Sequence, residues 1–214
     1  VENPAHPVSN ARLFWRADWD VSVVAVDAIP TTSDDPDAFD IGQFVDVVTF
    51  LRHTDGHESL LFSDGIHHLQ FEVVAGTVIS GLVRLHYRLS GFRLVEPQTL
   101  SVRRLAQFCR LGRFPLTLFP PEPRAHRWVM ALQAYDGTMA GASHRDIAAA
   151  LFGEQAVRDD WSGRSDFLRL RVQRLVHMGN AMVRGGYRDL LRGAGTNERQ
   201  RETPKERKRG TVFR

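Results

Sequence analysis

Ser143-His144-Arg145-Asp146-Ile147-Ala148-Ala149-Ala150-Leu151-Phe152-Gly153 decides how the rest of the chain is read. A serine followed three residues later by an acid is a capping box: the hydroxyl accepts a backbone N–H and the carboxylate reaches back to the cap. The helix it opens is short, sets Ile147 and Leu151 four apart with small alanines between, and closes at Gly153. Such a helix packs closely on a neighbour, as the second helix of a helix-turn-helix does. An interval follows, 153–163, wider than the three or four residues of a standard turn. Then Ser165 to Val183 reads as a long helix with Leu168, Val172, Leu175, Gly179 and Met182 on its inner stripe. At about 100° per residue, Asp166, Arg169, Leu170, Gln173, Arg174 and His177 project opposite that stripe. Most are side chains that read or brace a DNA groove. With Arg145, Arg164 and Ser165 they make up the expected DNA-contacting set. Arg169 and Gln173 are placed for base edges, Arg164 and Arg174 for flanking phosphates.

Working outward, Arg124 to Thr138 reads as a scaffold helix with Trp128, Leu132, Tyr135 and Met139 on one stripe. Phe114 to Pro123 holds too many prolines for a helix and reads as an extended apolar connector. From Ser101, Leu105, Phe108 and Leu111 recur at helical spacing until Gly112 stops the helix. The single Cys109, amid these apolar residues, is expected to be a buried structural thiol. Upstream, the period changes to two. Leu13–Trp15, Val21–Ile29, Val45–Leu51, Leu60–Phe62, Ile66–Val74 and Leu82–Leu89 read as strands, and Ser63-Asp64-Gly65 as a tight hairpin turn. The first ten residues and Pro30–Asp40, rich in Pro, Asp, Ser and Thr, read as exposed loop. The expected fold class is α+β. A small antiparallel β-sheet domain spans 1–96 and a helical domain with a variant helix-turn-helix spans 97–192. A basic tail, 193–214, has almost no apolar content and is expected to be disordered.

Charge divides along the same line. Residues 1–100 hold 6 Arg/Lys against 14 Asp/Glu, net −8; residues 101–192 hold 15 against 8, net +7; the tail holds 7 against 3, net +4. Arginine greatly outnumbers lysine, which suits bidentate contact with phosphates and base edges. Apolar runs such as Val21–Val26 and Ile147–Phe152 are far shorter than the roughly 20 residues of a membrane span. The N-terminus, Val1-Glu2-Asn3-Pro4, shows no basic region leading into an apolar core, so no secretory signal is visible, and the single Cys109, unable to form an internal disulfide, makes a reducing cytoplasm the expectation. His53, His57, His67 and His68 lack cysteine or carboxylate at ligand spacing, so no metal is expected. Asp18 and Asp20, near Trp15 and Trp19, could form a catalytic carboxylate pair, but a surface turn with aromatic anchors accounts for them as well. No phosphate-binding loop, nucleophile elbow or zinc spacing is present; no cofactor and no enzymatic activity are expected.

The segments Phe14-Trp15-Arg16-Ala17-Asp18-Trp19-Asp20, Gly112-Arg113-Phe114-Pro115, Ala142 to Gly153 and Gly185-Gly186-Tyr187-Arg188-Asp189-Leu190-Leu191, in that order, resemble the RovC-type DNA-binding domain family. The likeness covers roughly residues 11–192. The resemblance implies a bacterial transcription factor, in a family that includes an activator of type VI secretion genes and regulators of conjugative-element transfer. Some small relatives are antiactivators that bind a partner protein instead of DNA. The N-terminal sheet favours the full regulator, with double-stranded DNA as its partner and a homo-oligomer as its working form; sequestration of another regulator is the alternative.

Overall fold

The computed structural model describes residues 12–161 and 166–192. The expectations for Arg164, Ser165 and the tail therefore lie outside the described residues.

The N-terminal half is a curled six-stranded sheet, built from β1 (Val24–Pro30), β2 (Ala38–Phe39), β3 (Val48–Arg52), β4 (Glu58–Ser63), β5 (His68–Gly76) and β6 (Val83–Arg88) in the order β2-β6-β1-β5-β4-β3. The hairpin at Ser63-Asp64-Gly65 joins β4 to β5, and the Asp64 carboxylate accepts from the backbone N–H groups of Ile66 (2.9 Å) and His67 (2.7 Å). Four of the five strand pairings are antiparallel as expected; the central pair β1–β5 is parallel. Alternation sends Val24, Val26 and Ala28 inward, but which way a neighbouring strand runs leaves no mark on that pattern.

Two readings, one of a loop and one of a strand, are corrected. Pro30–Asp40 is not free loop: it contributes β2, and the Asp35 carboxylate accepts from Arg84 Nε (2.9 Å), Thr31 Oγ1 (2.6 Å) and the Asp37 N–H (2.9 Å). The Arg84 guanidinium holds Asp35 far below the usual carboxylate range. Leu13–Trp15 joins no strand ladder. Instead the buried Gln70 amide receives the Trp15 N–H on its oxygen (2.8 Å) and donates to the Trp15 carbonyl (2.6 Å), a side-chain substitute for a strand partner.

α1 (Val95–Leu111) begins earlier than the apolar spacing alone suggested, and Pro97 is accommodated in its first turn. Its inner face joins the sheet. Phe108 packs against Phe62 (ring centroids 5.7 Å) and Phe114 (4.9 Å), and Leu105 completes the same core as Phe71, Val73 and Leu60. The connector after α1 is anchored here too. It contains a 3-10 turn, Leu116–Leu118, and Phe114 is buried in the sheet's core. Arg104 clamps the connector from α1, donating to the Leu118 carbonyl (2.9 Å) with its guanidinium over the Phe119 ring (4.1 Å). Cys109 is exposed, contrary to expectation, because α1 turns Leu105 and Phe108 to the sheet and the residue after Phe108 falls outside.

A second core belongs to α2 (Ala125–Met139), α3 (His144–Phe152), α4 (Glu154–Asp160) and α5 (Phe167–Ala181), and comprises Ala131, Ala134, Ile147, Ala148, Val157, Leu168, Val172 and Leu175. α5 continues through a wide, π-type turn, Met182–Gly186, into the short α6 (Tyr187–Leu191). α6 returns to the N-terminal segment. Tyr187 meets Trp15 (6.3 Å), Arg188 lies over Trp19 (4.5 Å), and the Val21 N–H donates to the Leu191 carbonyl (3.2 Å). No helix among the described residues is long and apolar enough to cross a membrane.

Candidate nucleic-acid interface

The capping box forms as read: Ser143 Oγ accepts from the Asp146 N–H (3.2 Å), and an Asp146 carboxylate oxygen accepts from the Ser143 N–H (3.0 Å). The Ser143 hydroxyl also donates to that carboxylate (2.7 Å), and this bond first, then the one from the Ser143 N–H, lowers the pKa of Asp146. Ile147 and Ala148 are buried against the neighbouring helices. Gly153 ends α3 with φ 88°, a value a side chain would resist, and α4 starts at the next residue. The described part of the interval, 153–161, is thus not a loop. Most of it is α4, whose Val157 is driven into the helical core.

α5 presents the expected inner stripe: Leu168, Val172, Leu175 and Gly179 are buried. Gly179 is required by proximity. A Cβ there would lie 2.2 Å from the Ala131 carbonyl oxygen, so α2 and α5 touch backbone to backbone. That contact corrects the reading of α2. Its buried positions are the small Ala131 and Ala134, while Leu132 and Met139, expected inside, are exposed, Met139 by 69%. Helices that approach this closely leave room only for small side chains between them.

The outward face of α5 is clear. Asp166, Arg169, Leu170, Gln173, Arg174 and His177 are all exposed, as is Arg145 on the first turn of α3. Leu170, Gln173, Arg174 and His177 come together with Met178 and with Arg127 of α2 in a shallow cleft of about 470 Å³. Arg127 was missed in the sequence because its helix was read as scaffold alone; it lies four residues before Ala131, on the side that meets α5. Arg145, Asp166 and Arg169 do not line this cleft; Asp166 and Arg169 form an ion pair with each other (3.3 Å). Arg171 is stacked over Phe152 (4.3 Å). Arg127 and Arg174 have no hydrogen bond, ion pair or ring contact among the described residues. The cleft therefore holds unneutralised positive charge beside a glutamine amide and an imidazole, a donor set suited to phosphate and base edges.

The histidines and acids set aside earlier have structural partners. His67 bonds Asp64 (2.9 Å) and packs on Phe119 (4.9 Å), His53 bonds Ser59 (2.8 Å), Asp18 pairs with Arg16 (2.9 Å), and Asp20 accepts from the Ser22 N–H (2.8 Å). Among the described residues no group of three or more His, Cys, Asp or Glu could hold a metal ion.

No curated protein matches the chain. Residues 94–192, from the start of α1 to the end of α6, match the family model described as T6SS, Transcription factor, DNA binding domain. That description is of a DNA-binding regulator, not of an enzyme class, and residues 94–192 of this chain are similar to the RovC-type DNA-binding domain family.

Proposed function

We propose that the protein is a sequence-specific transcriptional regulator whose α5 enters the major groove, with α3 and α4 bracing it in a variant helix-turn-helix. The observation that carries this is the uncovered outer face of α5: the acidic sheet lobe leaves it free. Arg169 and Gln173 read base edges, and Arg174, Arg164 and Arg127 brace phosphates. Arg145, Ser165, Asp166, Leu170 and His177 complete the contact surface. The Asp166–Arg169 pair is no obstacle. Both groups are solvent-exposed, so breaking it costs about 0–1 kcal/mol, less than the roughly 1–3 kcal/mol a bidentate base contact returns. The working form is a dimer or higher oligomer on repeated half-sites, joined through the sheet lobe, in the bacterial cytoplasm where the DNA is. Light scattering that finds a monomer at every concentration, with and without DNA, would remove the oligomer from this picture.

Footprinting on the promoter beside the protein's own gene, followed by titration of variants, tests the assignment. Arg169→Ala or Gln173→Ala should cost about 1–3 kcal/mol on the protected site and little on random DNA. Arg174→Ala should weaken both nearly equally and reduce the slope of log K against log salt by about 0.9. The second reading is an antiactivator that sequesters another regulator. It draws on the apolar exposure of the same face, where Phe167 is 60% and Leu170 45% accessible. Loss of a protein partner on these substitutions, with no DNA preference in the wild type at low salt, would select it.

A further inference from the structure

The arginines of this protein fall into two populations. Arg16, Arg52, Arg84 and Arg88 each hold a carboxylate, and Arg104, Arg171 and Arg188 lie over aromatic rings. Arg127 and Arg174, at the α5 cleft, have no such partner among the described residues. Neither do Arg103 and Arg113, and these two also line one groove. It runs between the outer face of α1 and the connector, with a volume of about 530 Å³, and Gln107 and Thr117 supply its other polar side chains. Leu111 and Leu116, both exposed, add apolar surface to its lining. The walls are held in place from behind. Leu105 and Phe108 fasten α1 to the sheet, and Arg104 ties the connector to α1.

We infer that the groove between α1 and the connector is a second DNA-backbone surface, in which Arg103 and Arg113 each take a phosphate and Leu111 and Leu116 face the intervening sugar. The inference rests on the DNA-binding reading above and adds to it a surface away from the α5 cleft. Two observations favour DNA over another anion. The DNA-binding family match begins at residue 94 and so includes α1, although α1 packs on the sheet and contributes nothing to the helical core. Arg103, Leu111, Arg113, Leu116 and Thr117 on its lining are all exposed, as a polyanion lying across the groove requires. Contacts of this kind carry no sequence information; they add affinity and salt dependence.

The test is a salt titration of the full chain on a 40-base-pair duplex of mixed sequence, comparing wild type, Arg103→Ala/Arg113→Ala and Arg127→Ala/Arg174→Ala. Both pairs are exposed and unpartnered, so the variants should keep the wild-type melting temperature. Each double variant should lower affinity at low salt by roughly ten- to a hundredfold and reduce the slope of log K against log salt by about 1.8. The charge reversal Arg103→Glu/Arg113→Glu should lower it further. Unchanged affinity and slope for the Arg103/Arg113 variants, with loss for Arg127/Arg174, overturns the second surface and leaves the α5 assignment standing. A wild type that fails to bind the duplex overturns both. Poly-L-glutamate, run in parallel, separates the remaining occupant: if Arg103→Ala/Arg113→Ala abolishes its binding and leaves DNA binding intact, the groove takes an acidic protein and the DNA proposal falls.

Discussion

The two cores of this protein are built from different materials, and their surfaces follow suit. The sheet lobe packs large aromatics, with Phe62 at the centre of contacts to Phe39, Phe44, Phe71 and Phe108, and pairs its arginines with its own carboxylates. The helical lobe packs alanines and a glycine so that backbones touch, and leaves arginines on its surface without internal partners. An exposed ion pair adds about 0–1 kcal/mol to stability, so pairing in the sheet lobe does little to hold it together. Its larger effect is to cancel charge. One lobe neutralises its arginines with its own carboxylates; the other leaves Arg127 and Arg174 without a partner among the described residues.

Large-to-small substitution should hurt the aromatic core most. Phe62→Ala is expected to cost about 3–5 kcal/mol, read as a fall in the denaturant midpoint, and a change under 1 kcal/mol would show that the aromatic cluster is not the keystone. The helical core should be sensitive in the opposite direction, to added volume. Gly179→Ala puts a methyl group 2.2 Å from a backbone oxygen and is expected to cost about 1–3 kcal/mol and to weaken DNA binding by moving α5 away from α2. If the variant binds DNA like the wild type, the spacing of α2 and α5 does not matter to the site.

Glu58 sharpens the contrast from the side of charge. It is fully buried on β4, and burial opposes its ionisation. Hydrogen bonds from Thr77, Arg52 (2.6 Å) and the Val78 N–H (3.1 Å) outweigh that cost and bring its pKa below the ordinary 4.5. A carboxylate with a lowered folded pKa contributes stability above its unfolded pKa and loses it as pH falls through the folded value. Acid titration of stability should therefore decline below about pH 4.5 in the wild type and be flatter in Glu58→Gln, which should itself cost about 1.5 kcal/mol at neutral pH. Identical acid profiles would show that Glu58 titrates alike in both states. The smallest effect is expected at the capping box, where Ser143→Ala should cost about 1 kcal/mol by circular dichroism melting and leave the sheet lobe's transition in place.

Much of this was legible in the residues, because the features concerned are local. The capping box at Ser143 and Asp146, the hairpin turn at Ser63-Asp64-Gly65 and the inner stripe of α5 each depend on spacing within one segment, and each is found as read. So is the exposure of Arg169, Gln173, Arg174 and His177; of the family likeness read over roughly 11–192, the part across 94–192 is matched. α4 was hidden because Glu154–Asp160 carries a single apolar residue with a buried side chain, Val157, too little for a period to register. The stripe on α2 was misread because hydrophobic spacing favours large residues, whereas backbone-to-backbone packing selects Ala131, Ala134 and Gly179 and leaves Leu132 and Met139 outside.

By itself, then, the sequence determined the α+β division, most of the segments that form it and the polar face of α5, since period, caps and turns are written in neighbouring residues. Tertiary structure alone decided the rest. The parallel run of β1 beside β5, the docking of α1 on the sheet and the meeting of Arg127 with Arg174 all join residues far apart in the chain. No local pattern encodes which of several apolar faces will be buried together; that choice depends on the shapes available once all of them have formed.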